Sequence, residues 1–213
     1  MKLPQILFTQ GFGTRRACEG LVAGGYVAIA GVLHDDPSED LDPTGLVLNV
    51  EGQDWPYHAK ALIALNKPAG YECSKKPKHH ASVYGLLLFT DDGQLLHRWT
   101  SPKHHVPKVY DASCKHPVTP DQIARLLAGV VLQDDPEPVR AIAAEPWDGA
   151  AAGLHGIRLT LAEGKYHQVK RMMAAVGNRV EALHRSRFGR LELPADLAPG
   201  AWCWLAGPQV IAG

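Results

Sequence analysis

The sequence contains no run of about 18 apolar residues, so it offers no candidate for a membrane-spanning helix. Its first residues, Met1-Lys2-Leu3-Pro4, lack the charged-then-apolar pattern of an export signal, and a cytoplasmic protein with no membrane partner is expected. Cysteine is sparse: Cys18, Cys73, Cys114 and Cys203 stand far apart, with no C-x-x-C pair among them. That spacing argues against a disulfide framework or a zinc site and for reduced thiols. No internal repeat or low-complexity tract is visible. An excess of charge of either sign is missing too, with 22 Lys and Arg against 22 Asp and Glu.

What is present is segregated. From Lys165 to Arg190 stand Lys165, Lys170, Arg171, Arg179, Arg185, Arg187 and Arg190 against one acid, Glu181. From Asp35 to Asp54 the reverse holds, with seven acids and no Lys or Arg. Two solvated faces would account for this. A basic cluster would also give a local positive field for a polyanion in a molecule whose net charge hides it. A chain of 213 residues can hold one sizeable core and a small appended module, and two unequal domains are expected.

Along the chain, a short helix near Ile6–Phe8 and a Gly11-Phe12-Gly13 turn precede a helix that Thr14 opens as N-cap and Gly24-Gly25 ends. Tyr26–Ala30 alternates like a strand, and Gly31 turns it into Val32-Leu33. Residues 53–60 interrupt both periodicities and read as a linker between a domain at 1–52 and one at 61–213. In the second domain, strands are predicted at Ala61–Leu65, Gly85–Thr90, Val106–Cys114, Val139–Ala144, Gly156–Ala162, Asn178–His184 and Ala201–Ala206. A short helix is predicted over Gln94–Trp99. Another follows Thr119-Pro120, with an N-cap and a proline at its first position, and closes at Gly129. The clearest helix is Tyr166–Val176, where Val169, Met172, Met173 and Val176 form one apolar stripe and leave His167, Lys170 and Arg171 off it. The fold class is α+β, with a mostly antiparallel sheet.

Three blocks carry chemistry: NKPAGYECS from Asn66, TSPKHHV-x-K-x-Y from Thr100 and GKYHQVKRMMAAVGN from Gly164. Together they resemble the ribosomal small-subunit pseudouridine synthase A family, over nearly the whole chain from Thr14 to Trp204. The Thr14–Gly31 region is similar to the αL RNA-binding motif found in many of these enzymes, which implies that Arg15 and Arg16 meet RNA phosphates. On the residues alone, both arginines could simply solubilise a helix start, where positive charge opposes the dipole. The resemblance implies an enzyme that isomerises one uridine of 16S ribosomal RNA, in naked RNA or in a small-subunit precursor, as a monomer and without a cofactor. Such an enzyme needs a positive track for the backbone, a flat side chain for the extruded base and one carboxylate near the sugar. By the same resemblance, Tyr110 contacts the target base, Lys170 pairs with the catalytic aspartate and Leu183 belongs to the last motif. Lys67, Lys103, His104, Lys108, His167, Arg171 and Arg185 are the further RNA-binding candidates. A metal site from His79-His80 and His104-His105 is not expected, because adjacent histidines in a strand point to opposite faces and no carboxylate stands at helix spacing beside them.

The sequence departs from the family at one place. Members read G-R-L-D-x-D-T-T-G-L-x-L between the NKP-x-G block and the T-D-D-G turn, whereas here Ser82-Val83-Tyr84 runs straight into Gly85-Leu86-Leu87-Leu88. A helix, a loop and part of a strand, on the order of twenty residues by typical element lengths, are missing, and the catalytic aspartate lies within them. Asp91-Asp92 is explained by the turn that ends its strand. Leu41-Asp42-Pro43-Thr44-Gly45-Leu46 imitates the lost motif on the wrong side of Asn66-Lys67-Pro68, and Asp111 is expected to face away from Tyr110.

Overall fold

The computed structural model describes residues 1–73, 82–133 and 135–211; Ser74, which ends the NKPAGYECS block, and the His79-His80 pair lie outside them. The chain divides into two compact units, Met1–Lys60 and Ala61–Gly213.

In the first unit, α1 (Leu3–Thr9) and α2 (Arg15–Ala23) pack on a four-stranded antiparallel sheet of β1 (Val27–Ile29), β2 (Val32–Leu33), β3 (Val47–Val50) and β4 (Gln53–Pro56), in the order β2-β1-β3-β4. Thr14 Oγ1 accepts from the Ala17 amide at 3.2 Å and so caps α2, while Gly25, at φ 70°, takes the left-handed turn that ends it. Leu3, Ile6, Leu7, Cys18, Val22, Val27, Leu48 and Val50 form the core. The expected linker is half strand. Residues 53–56 pair with β3, and Trp55 packs edge-on against Phe12 and donates to Gln10 Oε1. Pro56 disguised this strand, but β4 is an edge strand, where a missing N–H costs no ladder bond.

The second unit is built on an eight-stranded sheet. Its strands are β5 (Leu62–Lys67), β6 (Tyr84–Thr90), β7 (Lys108–Cys114), β10 (Ala143–Pro146), β11 (His155–Leu161), β12 (Val180–Phe188), β13 (Leu191–Glu192) and β14 (Trp202–Trp204). They run in the order β10-β11-β7-β12-β6-β5-β14, with β13 paired to β12. Every pairing is antiparallel except β6 with β12, which meet in parallel at His184–Tyr84 and Arg185–Gly85. The predicted strand Val139–Ala144 is instead two. β8 (Val130–Leu132) and β9 (Asp135–Val139) form a separate hairpin, and β10 joins the large sheet. Between them the Ala141 amide turns aside to donate to the Leu126 carbonyl at 2.9 Å.

Among the described residues, three α-helices complete this unit: α3 (Gly93–Thr100), α4 (Pro120–Ala128) and α5 (Gln168–Ala175). Asp92 caps α3 by accepting from the amides of Gln94 and Leu95, and Thr119 and Gln122 form a reciprocal capping box at α4. Val169, Met172, Met173 and Val176 are buried together with Leu126, Ile157, Leu159 and Leu161. A second cluster gathers Leu62, Ala64, Leu86, Trp99, Phe188 and Ile211.

A candidate RNA-binding cleft in the second unit

The period of two along β7, β11 and β12 sends alternate side chains to opposite sides of the sheet. Lys108, Tyr110, Leu161, Leu183, Arg185 and Phe188 line one cavity, of about 300 Å³. Arg158, Thr160, His184, Ser186 and Arg187 line another, of about 720 Å³. A register shift between Arg185 and Arg187 lets Phe188 return to the first side.

The first cavity is closed by Ser82 and Val83 ahead of β6, by Trp99 and Thr100 at the end of α3, and by Gly164, Lys165, His167, Gln168, Val169 and Lys170 at the start of α5. Its charge is one-sided. Lys108, Lys165, Lys170 and Arg185 line it, and among the described residues no Asp or Glu does. Lys108 is only 6% exposed, and its Nζ donates to the Ala162 carbonyl at 3.3 Å. Burial, and then the Arg185 charge, push its pKa down. Arg185 donates from Nε to the Leu86 carbonyl at 2.7 Å. The Lys108 ammonium and the Arg185 guanidinium lie 5.2 and 5.7 Å from the centre of the Phe188 ring, within cation–π range. Lys170 is depressed by burial as well. Lys165 is the exception: an ion pair with Asp135 raises its pKa.

Six of the residues singled out from the sequence therefore meet at this cavity: Lys108, Tyr110, His167, Lys170, Leu183 and Arg185. Tyr110 is nearly buried, as its inward strand position requires. Others do not reach it. Lys67 is buried with its ammonium on the carbonyls of Pro68 (3.2 Å) and Tyr71 (2.5 Å), where it ties the NKPAG turn together. Lys103 and His104 are exposed on a short 3-10 turn, and Arg171 Nη1 donates to the Tyr166 carbonyl at 3.1 Å. Arg15 and Arg16 are exposed in the first unit, Arg15 lying 5.3 Å above the Phe8 ring. Phe188, Trp99 and the Lys165–Asp135 pair were not foreseen as parts of the site.

Behind the cavity, Asp111 is 4% exposed and accepts from Arg158 Nε at 2.6 Å, with His184 Nδ1 at 3.7 Å. Burial alone would raise its pKa. Hydrogen bonds from His184, Arg158 and Ser186 outweigh that and bring it to about 2. The carboxylate does face away from Tyr110. At the junction where the family carries its aspartate segment, Tyr84 and Gly85 are consecutive in β6. Gly85 sits at φ 89°, and a Cβ there would run into the His184 ring and the Arg185 carbonyl.

The chain is similar to a crystal structure of a pseudouridylate synthase, with a TM-score of 0.61 and 28% identity over 99% of this chain and 98% of that one. The fold is therefore that of a pseudouridine synthase, and the cavity in its second unit is lined by cations. A curated relative, ribosomal small subunit pseudouridine synthase A of Salmonella typhimurium, is 35% identical over 225 residues, covering 95% of each chain. The Yersinia pestis protein of the same name is 40% identical over 75% of this chain and 65% of its own length. An uncharacterized RNA pseudouridine synthase of Bacillus subtilis, YtzG, is 33% identical over 227 residues. The chain belongs to the ribosomal small subunit pseudouridine synthase A family. Comparison with models of known protein families returns no match. The alignments with the Salmonella and Bacillus proteins run longer than the 213 residues of this chain, so gaps must open on its side, as a missing internal segment requires.

Proposed function

We propose that the protein is an RNA pseudouridine synthase that isomerises one uridine of small-subunit ribosomal RNA. Family membership supports this reading, and the observation that carries it is the cavity of Tyr110, Lys108, Lys170 and Arg185, cationic and, among the described residues, free of acids. Isomerisation breaks the bond between uracil and sugar, turns the base and joins carbon 5 to the sugar. The base must leave its stack first. Buried Lys108 and half-buried Lys170 and Arg185 can hold the strand's phosphates at the cavity, Tyr110 can support the flat base, and Lys170 stands where it would keep a carboxylate ionised. In this reading the first unit, with Arg15 and Arg16, is an RNA-binding domain, and the protein works as a cytoplasmic monomer on ribosomal RNA or a small-subunit precursor particle. Among the described residues, no helix is long and apolar enough to cross a membrane.

A second reading applies if the aspartate segment is truly deleted from the chain. Chemistry needs a carboxylate beside the sugar, and among the described residues none lines the cavity. A chain without it would bind the same RNA and leave the uridine unchanged, as a non-catalytic binder or ribosome-assembly protein. Tritium release from small-subunit ribosomal RNA labelled at uracil carbon 5 separates the two, run beside an intact mass on the same preparation. Release establishes the enzyme. A mass of 23.1 kDa, tight RNA binding and no release establish the binder.

A further inference from the structure

Tyr166 has a place that neither the folding of α5 nor the cavity explains. Its side chain is 67% exposed, yet its ring lies on the His167 ring at 3.9 Å between centres and 19° between planes. His167 lines the cavity and adopts the left-handed conformation at φ 48°, ψ 32°, which a side-chain-bearing residue takes up at a cost. The segment around it is held firmly. The Lys165 amide donates to Gln168 Oε1 at 2.8 Å, the Gln168 amide to the Lys165 carbonyl at 3.1 Å, and Arg171 Nη1 to the Tyr166 carbonyl at 3.1 Å. Gln168 Nε2 in turn donates to Glu163 Oε1 at 3.0 Å. A rigid, strained turn thus presents one flat aromatic face outward, at the edge of a cavity whose walls are cationic.

We propose that Tyr166, backed by His167, is a stacking platform for an RNA base next to the nucleotide that enters the cavity. This rests on the reading of the cavity as an RNA site. A single strand running past the cavity's cations exposes the faces of neighbouring bases once the target has left its stack, and any base can stack on an aromatic ring. The ring is already ordered by His167, so little further freedom is lost when a base lands on it. The contact is made with a base, not a phosphate, and carries no counterion term.

Filter binding of an in vitro small-subunit ribosomal RNA transcript over a range of salt tests the platform. Tyr166→Ala is expected to weaken binding about 5- to 100-fold with the slope of log affinity against log salt unchanged, and Tyr166→Phe to bind like the parent. The ring is mostly in solvent, so equal thermal midpoints for the three proteins show that folding is intact. Parental affinity in Tyr166→Ala, a shallower salt slope, or equal losses in Ala and Phe would overturn the platform while leaving the RNA reading in place. Failure of the unaltered protein to bind the transcript would overturn both.

Discussion

Asp111 is the carboxylate on which the sheet leans. Its pKa lies at about 2 in the fold against an ordinary 3.8, which corresponds to about 2 kcal/mol of stabilisation. Because the folded value is the lower one, this contribution is complete above the unfolded pKa, near pH 4, and vanishes as the pH falls through about 2. Asp111→Asn should therefore lose about 2 kcal/mol in urea unfolding near pH 7, and the gap to the parent should narrow towards pH 2. Lys108 behaves in the opposite sense. Its charged form is disfavoured in the fold by burial and by Arg185, a cost that is present at neutral pH and relieved only as the pH rises through its lowered pKa. Lys108→Met should raise the thermal midpoint, by roughly 2–4 °C for each kcal/mol relieved, while it weakens RNA binding and flattens the salt slope by up to about one phosphate contact. That Lys108, Tyr110 and Lys170 belong together was legible in the sequence because whole motifs surround them, and all three line one cavity. Lys165–Asp135 was not, since nothing in local spacing pairs residues 30 positions apart. Lys67 misled because a motif lysine can serve its own turn as well as a ligand.

At the scale of elements, caps and glycines were the readable signals. The N-caps of α2 and α4 were placed from one or two residues each, because a side-chain oxygen facing unpaired amides is a local event. Thr119→Ala should cost about 1 kcal/mol by removing one half of the capping box, measured by denaturant unfolding. β4 and the β8–β9 hairpin escaped notice for the same physical reason. Gln53–Pro56 and Asp135–Val139 carry prolines and acids, so composition spoke for loops, although each pairs with the strand just before it in the chain, β3 or β8, to make a hairpin. Gly85 is more demanding than any cap. With φ 89° and the His184 ring against it, Gly85→Ala strains the backbone and pushes β6 off β12 together. A loss on the order of 1–3 kcal/mol and weakened RNA binding are expected, because Arg185, held on the Leu86 carbonyl, moves with the strand.

For the whole molecule, a formal charge of zero conceals where the charge is. If the cavity and its basic surroundings hold RNA, affinity should fall linearly on a log–log plot against salt, with a slope of about −0.7 per neutralised phosphate on a single strand. A protein of no net charge would otherwise show little dependence. The parallel contact of β6 with β12 has a further consequence, for the birth of the protein. Arg185 and Leu86 are 99 positions apart, and β12 sits in the middle of the sheet, between β7 and β6. A growing chain therefore leaves the Gly85-Leu86 end of β6 with only β5 to pair it until nearly the whole polypeptide has been synthesised. Such an unfilled apolar edge invites self-association. Folding should be slow and late, completed in one closing step when β12 slots into the waiting gap, and the yield of native protein should depend on how well the half-made sheet is shielded in the meantime.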